Sequence, residues 1–224
     1  AYADDGLVSE AVAQLLRARP DLQLRGIRGN VDTRLRKVDE GEYDAIVLAE
    51  AGLTRIGRTD RIAETFAAAS WPTSAGQGAL AVEVRADDPF AEEVAALTDA
   101  DAAVTSLLER AVLRRLEAGC AAPVGITASV LPADSAGAVS SASVVERPSA
   151  GSGTAQRDET THAAVTLAAE VYALDGARTV RVERVFARAS VAGAAGREDA
   201  AAEVVDALLA DGAAELADLA GSGR

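Results

Sequence analysis

No methionine occurs anywhere in the 224 residues. A chain with no initiator is expected to be a fragment or a processed product. It opens on AYADDGLVSE, which carries no strand-like run and no secretory signal. There is a single cysteine, Cys120, so an internal disulfide is excluded, as suits a cytoplasmic chain. The single histidine, His162, follows a threonine-rich loop. With no second histidine or cysteine to join it, no metal site is expected. Apolar runs stop short of the ~18 residues that would read as a membrane span, so no membrane partner is expected. Phosphate-binding glycine loops and a Ser-His-Asp set are also missing. Of 22 basic residues only Lys37 is lysine, and the formal charge is −13. That charge argues against a nucleic-acid partner.

What is present reads first as alternating elements. AVAQLLRARP (11–20) places Val12, Leu15 and Leu16 on one helical face, with Pro20 as the stop. LQLRGIR (22–28) predicts a short strand ending in a turn. Asn30 caps a following helix whose apolar positions are Val31, Leu35 and Val38, and Gly41 closes it. YDAIVLA (43–49) is a nearly continuous apolar run, as in a strand covered on both faces. A helix follows at 50–57. Residues 11–57 therefore predict an α/β unit with a parallel sheet.

SAGQGALAVEVRADD (74–88) reads as a glycine turn and a strand with Leu80, Val82 and Val84 on one face, and a helix at 89–97 follows. Asp99 caps a long helix, 101–118, with the stripe Val104, Leu107, Leu108, Ala111, Val112 and Leu116. Beyond Cys120 the segments ITASVL, AVSSASVVE, AVTLAAEVYAL and TVRVERVFA predict antiparallel strands around a Ser/Ala/Gly-rich loop at 133–160. A final helix, 198–218, carries Val204, Val205, Leu208 and Leu209, and Asp211-Gly212 breaks it. This second half predicts a small α+β domain.

Three constellations carry chemistry. In RGIRGNVDTR (25–34), Arg28 sits at a strand end and Asn30 at a helix N-terminus, where free N–H groups favour anions. Arg28 and Arg34 add planar forks suited to carboxylates. A solvated helix with surface arginines is the plainer reading of the same residues. Arg55 lies one helical turn beyond the next strand end, the edge at which ligands collect in open α/β sheets. GQG (76–78) permits close backbone approach and offers the Gln77 amide, although by itself it is only a turn. Cys120 falls in LEAGCAAPVG (116–125) directly after the expected helix stop Gly119. A lone cysteine is ordinarily a small buried hydrophobe.

Taken in order, IRGNVDTRLRKVDEGEYDAIVLAEAGLTRIG, GQGALAVEVRADD and LLERAVLRRLEAGCAAPVG resemble the porphobilinogen deaminase (hydroxymethylbilane synthase) family. The resemblance is dense over residues 11–128 and looser beyond. It implies a transferase of tetrapyrrole (haem) biosynthesis that condenses four porphobilinogen units head to tail with loss of ammonia. The primer would be a dipyrromethane cofactor held by a thioether at Cys120. Arg28, Arg34 and Arg55 would bind the acetate and propionate groups of primer and substrate. Asn30 and Gln77 match cleft positions. The implied fold is a periplasmic-binding-protein-like parallel-sheet domain followed by the small α+β domain. Residues 1–78 would form the family's second domain, 79–98 a crossover strand and helix belonging with the first, and 99–224 the C-terminal domain. A monomeric cytoplasmic protein is expected.

Two departures from the family shape the expectation. The family's first domain, with an Asp that assists proton transfer, has no counterpart in this sequence, so the catalytic acid is unassigned. A paired arginine before the AQLL run is replaced by Glu10, Ala11 and Val12. The chain alone is therefore expected not to turn over porphobilinogen at a normal rate. The alternative is a truncated or diverged homologue that at most binds an anionic ligand. An intact mass that exceeds or equals the sequence mass separates the two.

Overall fold

The computed structural model describes residues 9–116, 123–132, 162–173 and 175–216. Element order is α1 (Ser9–Ala18), α2 (Val31–Asp39), α3 (Glu50–Arg55), α4 (Ala91–Ala95), α5 (Ala100–Arg115), β1 (Val124–Pro132), β2 (His162–Tyr172), β3 (Thr179–Ala187), α6 (Arg188–Val191) and α7 (Ala194–Ala210). Short 3₁₀ turns lie at 59–61 and 213–215. No helix among the described residues is long and apolar enough to cross a membrane.

The C-terminal half is built around an antiparallel sheet in the order β1-β2-β3. Ile126 faces Ala169 across the first ladder, and Ala169 faces Val182 across the second. Alternation sends Ile126, Val165, Leu167, Ala169, Val171 and Val182 to one face, where α5 and α7 cover them. From α5 come Val104, Leu108, Ala111 and Val112, and from α7 Ala201, Val204, Val205 and Leu208. The stripe predicted for α5 is therefore its core face, with one exception: Leu107 falls on the flank and is 46% exposed. Leu209 of α7 likewise points outward. The caps stand where the sequence places them. Asp99 accepts from Ala102 N at 2.8 Å, and Gly212, at φ +89°, ends the α7 region.

The other face of the sheet is crossed by α1 and by the strap at 69–74. Gly125 makes this approach possible, because a Cβ there would stand 2.5 Å from Pro72 O. Ile126 N donates to Thr73 O at 2.7 Å, and Gln14 Nε2 donates to Pro72 O at 2.8 Å. Trp71 of the strap stacks on Phe66 with ring centroids 4.3 Å apart. Glu170, buried on this face of β2, accepts from Arg17 at 2.8 Å, from Thr179 Oγ1 at 2.6 Å and from Arg181 at 3.2 Å. Arg181 also donates to Ala69 O at 2.6 Å. Helix, strap and sheet are thus joined through one carboxylate.

Neither the parallel sheet expected in residues 11–57 nor the strand expected within 74–88 is formed among the described residues. The runs 22–28 and 43–49 and the segment 79–85 form no regular secondary structure and enter no ladder. Leu80 is 89% exposed and Val82 70%. A strand is completed by the edge of a neighbour, and no second edge lies beside these runs among the described residues. Periodicity records the surroundings a segment is suited to, while the partner strand is a separate requirement. The predicted helix at 89–97 shortens to the five residues of α4.

Candidate functional site

Arg28 ends the run 22–28, and the chain turns at Gly29 with φ +122°. A Cβ at Gly29 would meet Thr33 Cγ2 at 2.8 Å, so both the angle and the space call for glycine. Asn30 is the N-cap of α2, and its Oδ1 accepts from Thr33 N at 2.8 Å. The cap consumes the amide oxygen, which leaves Asn30 Nδ2 as the group available to a ligand. Arg34 Nε donates to Gly29 O at 2.8 Å. This bond fixes one edge of the guanidinium plane and leaves both Nη groups for another acceptor. Arg28 is exposed, and no carboxylate pairs with it among the described residues. The structure therefore brings Arg28, Asn30 and Arg34 together on a single turn.

Arg55 is the last residue of α3 and lines a shallow open hollow with Glu50, Ala51 and Thr54. Leu53, on the buried side of the same helix, seats it. Several contacts hold the surrounding segments together. Tyr43 OH donates to Gly26 O at 2.9 Å, and Arg25 lies over the Tyr43 ring at 4.8 Å while donating to Glu42 O at 2.5 Å. Arg61 pairs with Asp39 of α2.

Gln77 belongs to a different neighbourhood. Its N–H donates to Ser74 O at 3.3 Å in a turn where Gly76 has φ +78°. Its side chain is exposed. The turn is fastened to α5 by Glu109, whose Oε2 accepts from Gly76 N at 2.7 Å. The other oxygen, Oε1, accepts from Ala128 N on the outer edge of β1, also at 2.7 Å. Glu109 is buried, and that burial pushes its carboxyl pKa up against the opposing pull of the two N–H groups. Arg110 runs along the outside of the same turn, its Cδ 3.8 Å from where a Gly76 Cβ would lie. No hydrogen bond or ion pair among the described residues joins Gln77 to the turn at 28–34 or to Arg55. Cys120 lies outside the described residues, between the end of α5 at Arg115 and the start of β1 at Val124.

Glu109, Gln14 and the Glu170 cluster were not singled out in the sequence. Glu109 sits on the flank of the α5 stripe beside Val112 and Leu116, where a carboxylate half inside the apolar arc is the available signal. Glu170 occupies an otherwise apolar strand, AVTLAAEVY, and that interruption is its mark. Gln14 is buried, and its Oε1 has no partner among the described residues. Nothing in its helical spacing distinguishes it from a surface amide.

The chemistry available at 28–34 and at 55 is the binding of carboxylates. Open guanidinium donors in a chain of charge −13 suit a ligand with several acid groups. Residues 10–93 match the family model described as "Porphobilinogen deaminase, dipyromethane cofactor binding domain", and residues 103–202 match "Porphobilinogen deaminase, C-terminal domain". The chain is 41% identical over 218 residues to a porphobilinogen deaminase of Leifsonia xyli, covering 93% of this chain and 57% of the relative. It is 40% identical over 206 residues to that of Corynebacterium diphtheriae, covering 92% and 58%. A relative in Corynebacterium glutamicum is 51% identical over 122 residues, 53% of this chain and 40% of that one. The chain spans somewhat over half the length of the first two of these curated relatives.

Proposed function

The chain belongs to the porphobilinogen deaminase family, a family of transferases, and from that premise we propose that it contributes the primer-holding part of a hydroxymethylbilane synthase. The reaction is the stepwise condensation of four porphobilinogen units with release of ammonia, on a dipyrromethane attached at Cys120. When bound, the dipyrromethane supplies the free pyrrole end that is extended. Arg28 and Arg34 hold its carboxylates, Arg34 with a plane already set by Gly29 O. Arg55 takes carboxylates further along, and Asn30 Nδ2 and Gln77 donate hydrogen bonds. The exposed position of Arg28 and Arg55 leaves their donors free to accept an anionic chain that changes length.

The observation that carries this reading is the turn at 28–34, where glycine geometry, a cap and a guanidinium held by one donor produce a carboxylate fork inside the stretch that matches the cofactor-binding model. The donor set fits the acid groups of a dipyrromethane. The domain division proposed is 1–78, 79–98 and 99–224, with the runs at 22–28, 43–49 and 79–85 entering a parallel, periplasmic-binding-protein-like arrangement once partner strands lie beside them. The protein acts in the cytoplasm as a monomer.

The test is the intact mass of purified protein. Wild type should exceed its sequence mass by one dipyrromethane, and Cys120→Ser should not. A wild-type mass equal to the sequence mass refutes the reading and leaves an anion-binding homologue without primer. Full loading of Cys120→Ser would move the attachment elsewhere.

A further inference from the structure

Most of the described arginines have an acceptor. Arg114 of α5 pairs with Glu198, Arg184 with Glu203 and Arg188 with Asp101. Arg110, one helical turn before Arg114, has none. Three and four residues away along α5 stand Ser106, Leu107, Leu113 and Arg114, none of them acidic, and a like charge one turn on is unfavourable. The adjacent Glu109 is turned inward, with its oxygens committed to Gly76 N and Ala128 N at 2.7 Å each. Arg110 is exposed, and no hydrogen bond or ion pair engages its guanidinium among the described residues.

Its stem, by contrast, has a fixed place. Arg110 Cγ and Cδ each lie 3.8 Å from where a Gly76 Cβ would stand, along the outside of the turn that carries Gln77. Glu109 draws the same turn onto α5 through Gly76 N, so successive residues of one helix hold the turn and lay a cation beside it. The amides of Gly76 and Gln77 are not available to a ligand, because Glu109 takes the first and Ser74 O the second. The donors left at this place are side chains: the exposed Gln77 amide and the Arg110 guanidinium, with its five N–H groups in a planar fork. A cation of this form, without an acid of its own in a chain of charge −13, suits a carboxylate brought by a ligand. We propose that Arg110, together with Gln77, is a further carboxylate-binding point of this chain, distinct from the turn at 28–34. The ligand class, a pyrrole bearing acetate and propionate groups, rests on the proposed function.

Two measurements decide it, both on the 224-residue chain produced in cells that make no porphobilinogen. The probe is a pyrrole carrying one acetate and one propionate group but no aminomethyl group, which cannot condense. In the first, phenylglyoxal modifies the arginines and peptide mass spectrometry gives each rate. With the diacid at about four times its Kd, Arg110 should react roughly fivefold more slowly by mass action. The dimethyl ester of the probe should have no such effect. Arg115 and Arg178, equally exposed and without partners among the described residues, are the internal controls and should keep their rates. No slowing at Arg110, equal slowing at the controls, or equal slowing by the ester overturns the proposal. Arg28 reads the proposed function in the same sample: protection of Arg28 alone strikes only the inference at Arg110, and protection of Arg110 alone strikes only the fork at 28–34. In the second, isothermal titration should show Arg110→Gln weakening the diacid by roughly tenfold with the urea midpoint unchanged. Arg110→Lys, which keeps the charge without the fork, should recover part of that loss. An unchanged Kd in Arg110→Gln, or a loss accompanied by an equal fall in stability, makes Arg110 a surface or packing residue and overturns the proposal.

Discussion

Removing both arginines that serve Glu170 should destabilise the protein by more than the two single losses together. Glu170 has a side chain only 5% exposed, while Arg17 is 53% exposed and Arg181 29%. Arg17→Leu removes an ion pair from a largely hydrated cation, and the acid keeps Arg181 and Thr179. Screening and side-chain entropy limit that loss to about 0.5–1 kcal/mol. Arg181→Leu removes the 3.2 Å contact and also the bond to Ala69 O, for about 1–2 kcal/mol. The double variant leaves a buried carboxylate with no cation and only the hydroxyls of Thr179 and Tyr172 beside it among the described residues, and stranding a buried charge costs about 3–5 kcal/mol. The coupling should therefore be on the order of 1–2 kcal/mol. Urea titration followed by far-UV circular dichroism measures it. With m near ~2 kcal/mol per molar, the double variant should lose roughly 2 M in midpoint. Glu170→Leu should lose far less, because the released cations can reach water and Arg181 retains Glu183 at 3.2 Å. If the double loss merely equals the sum of the singles, or Glu170→Leu is the worst of the four, the carboxylate is not the element that holds α1, strap and sheet together.

Gly29→Ala should destabilise the turn by about 1–3 kcal/mol through its backbone angle alone, with the Thr33 clash added, and primer content by intact mass should fall with it; a fully loaded, equally stable variant would remove the turn from the site. Leu108→Ala, at a fully buried position, should cost about 2–5 kcal/mol by denaturant titration, whereas Leu107→Ala should stay within about 0.5 kcal/mol, and equal losses would contradict the orientation of α5. Burial holds Glu109 above the ordinary carboxylate value of 4.5, so the folded chain binds this proton more tightly than the unfolded one. Its contribution to stability is then largest below the unfolded value and declines as pH rises through the folded one. Wild type should gain on Glu109→Gln in urea midpoint as pH falls through that window, and parallel pH profiles would show that the carboxyl is not desolvated.

Local rules carried far where the chain solves its own problem. Asp99, Asn30 and Gly212 stop or start helices with groups a few residues away, so their roles are written in short spacings. The α5 stripe was legible for the same reason, and it erred at Leu107 because a flank residue is buried or not according to what α7 and the sheet place there. The segment 79–85 shows the limit more plainly. Leu80, Val82 and Val84 alternate as a strand should, but alternation does not contain the neighbour that completes a ladder. Arg28 and Arg34 were visible as a fork next to a helix start. Glu109 was not, since its meaning depends on two backbone amides, one 33 residues before it and one 19 after. Long-range backbone satisfaction leaves no periodic trace.

The strap has a spectroscopic consequence. Trp71 is the only tryptophan in the chain, and it is stacked on Phe66 at 4.3 Å. It stands between two carbonyls that other elements hold, Ala69 O by Arg181 and Pro72 O by Gln14. The core between α5, α7 and the sheet contains no indole at all. Intrinsic fluorescence excited at the indole band therefore reports whether the strap lies on the sheet, and is blind to the α5–α7 layer. A strap that lifts before the sheet melts would quench or red-shift the emission while the backbone signal stood still, so a single unlabelled sample can resolve the docking of one segment from the unfolding of the rest.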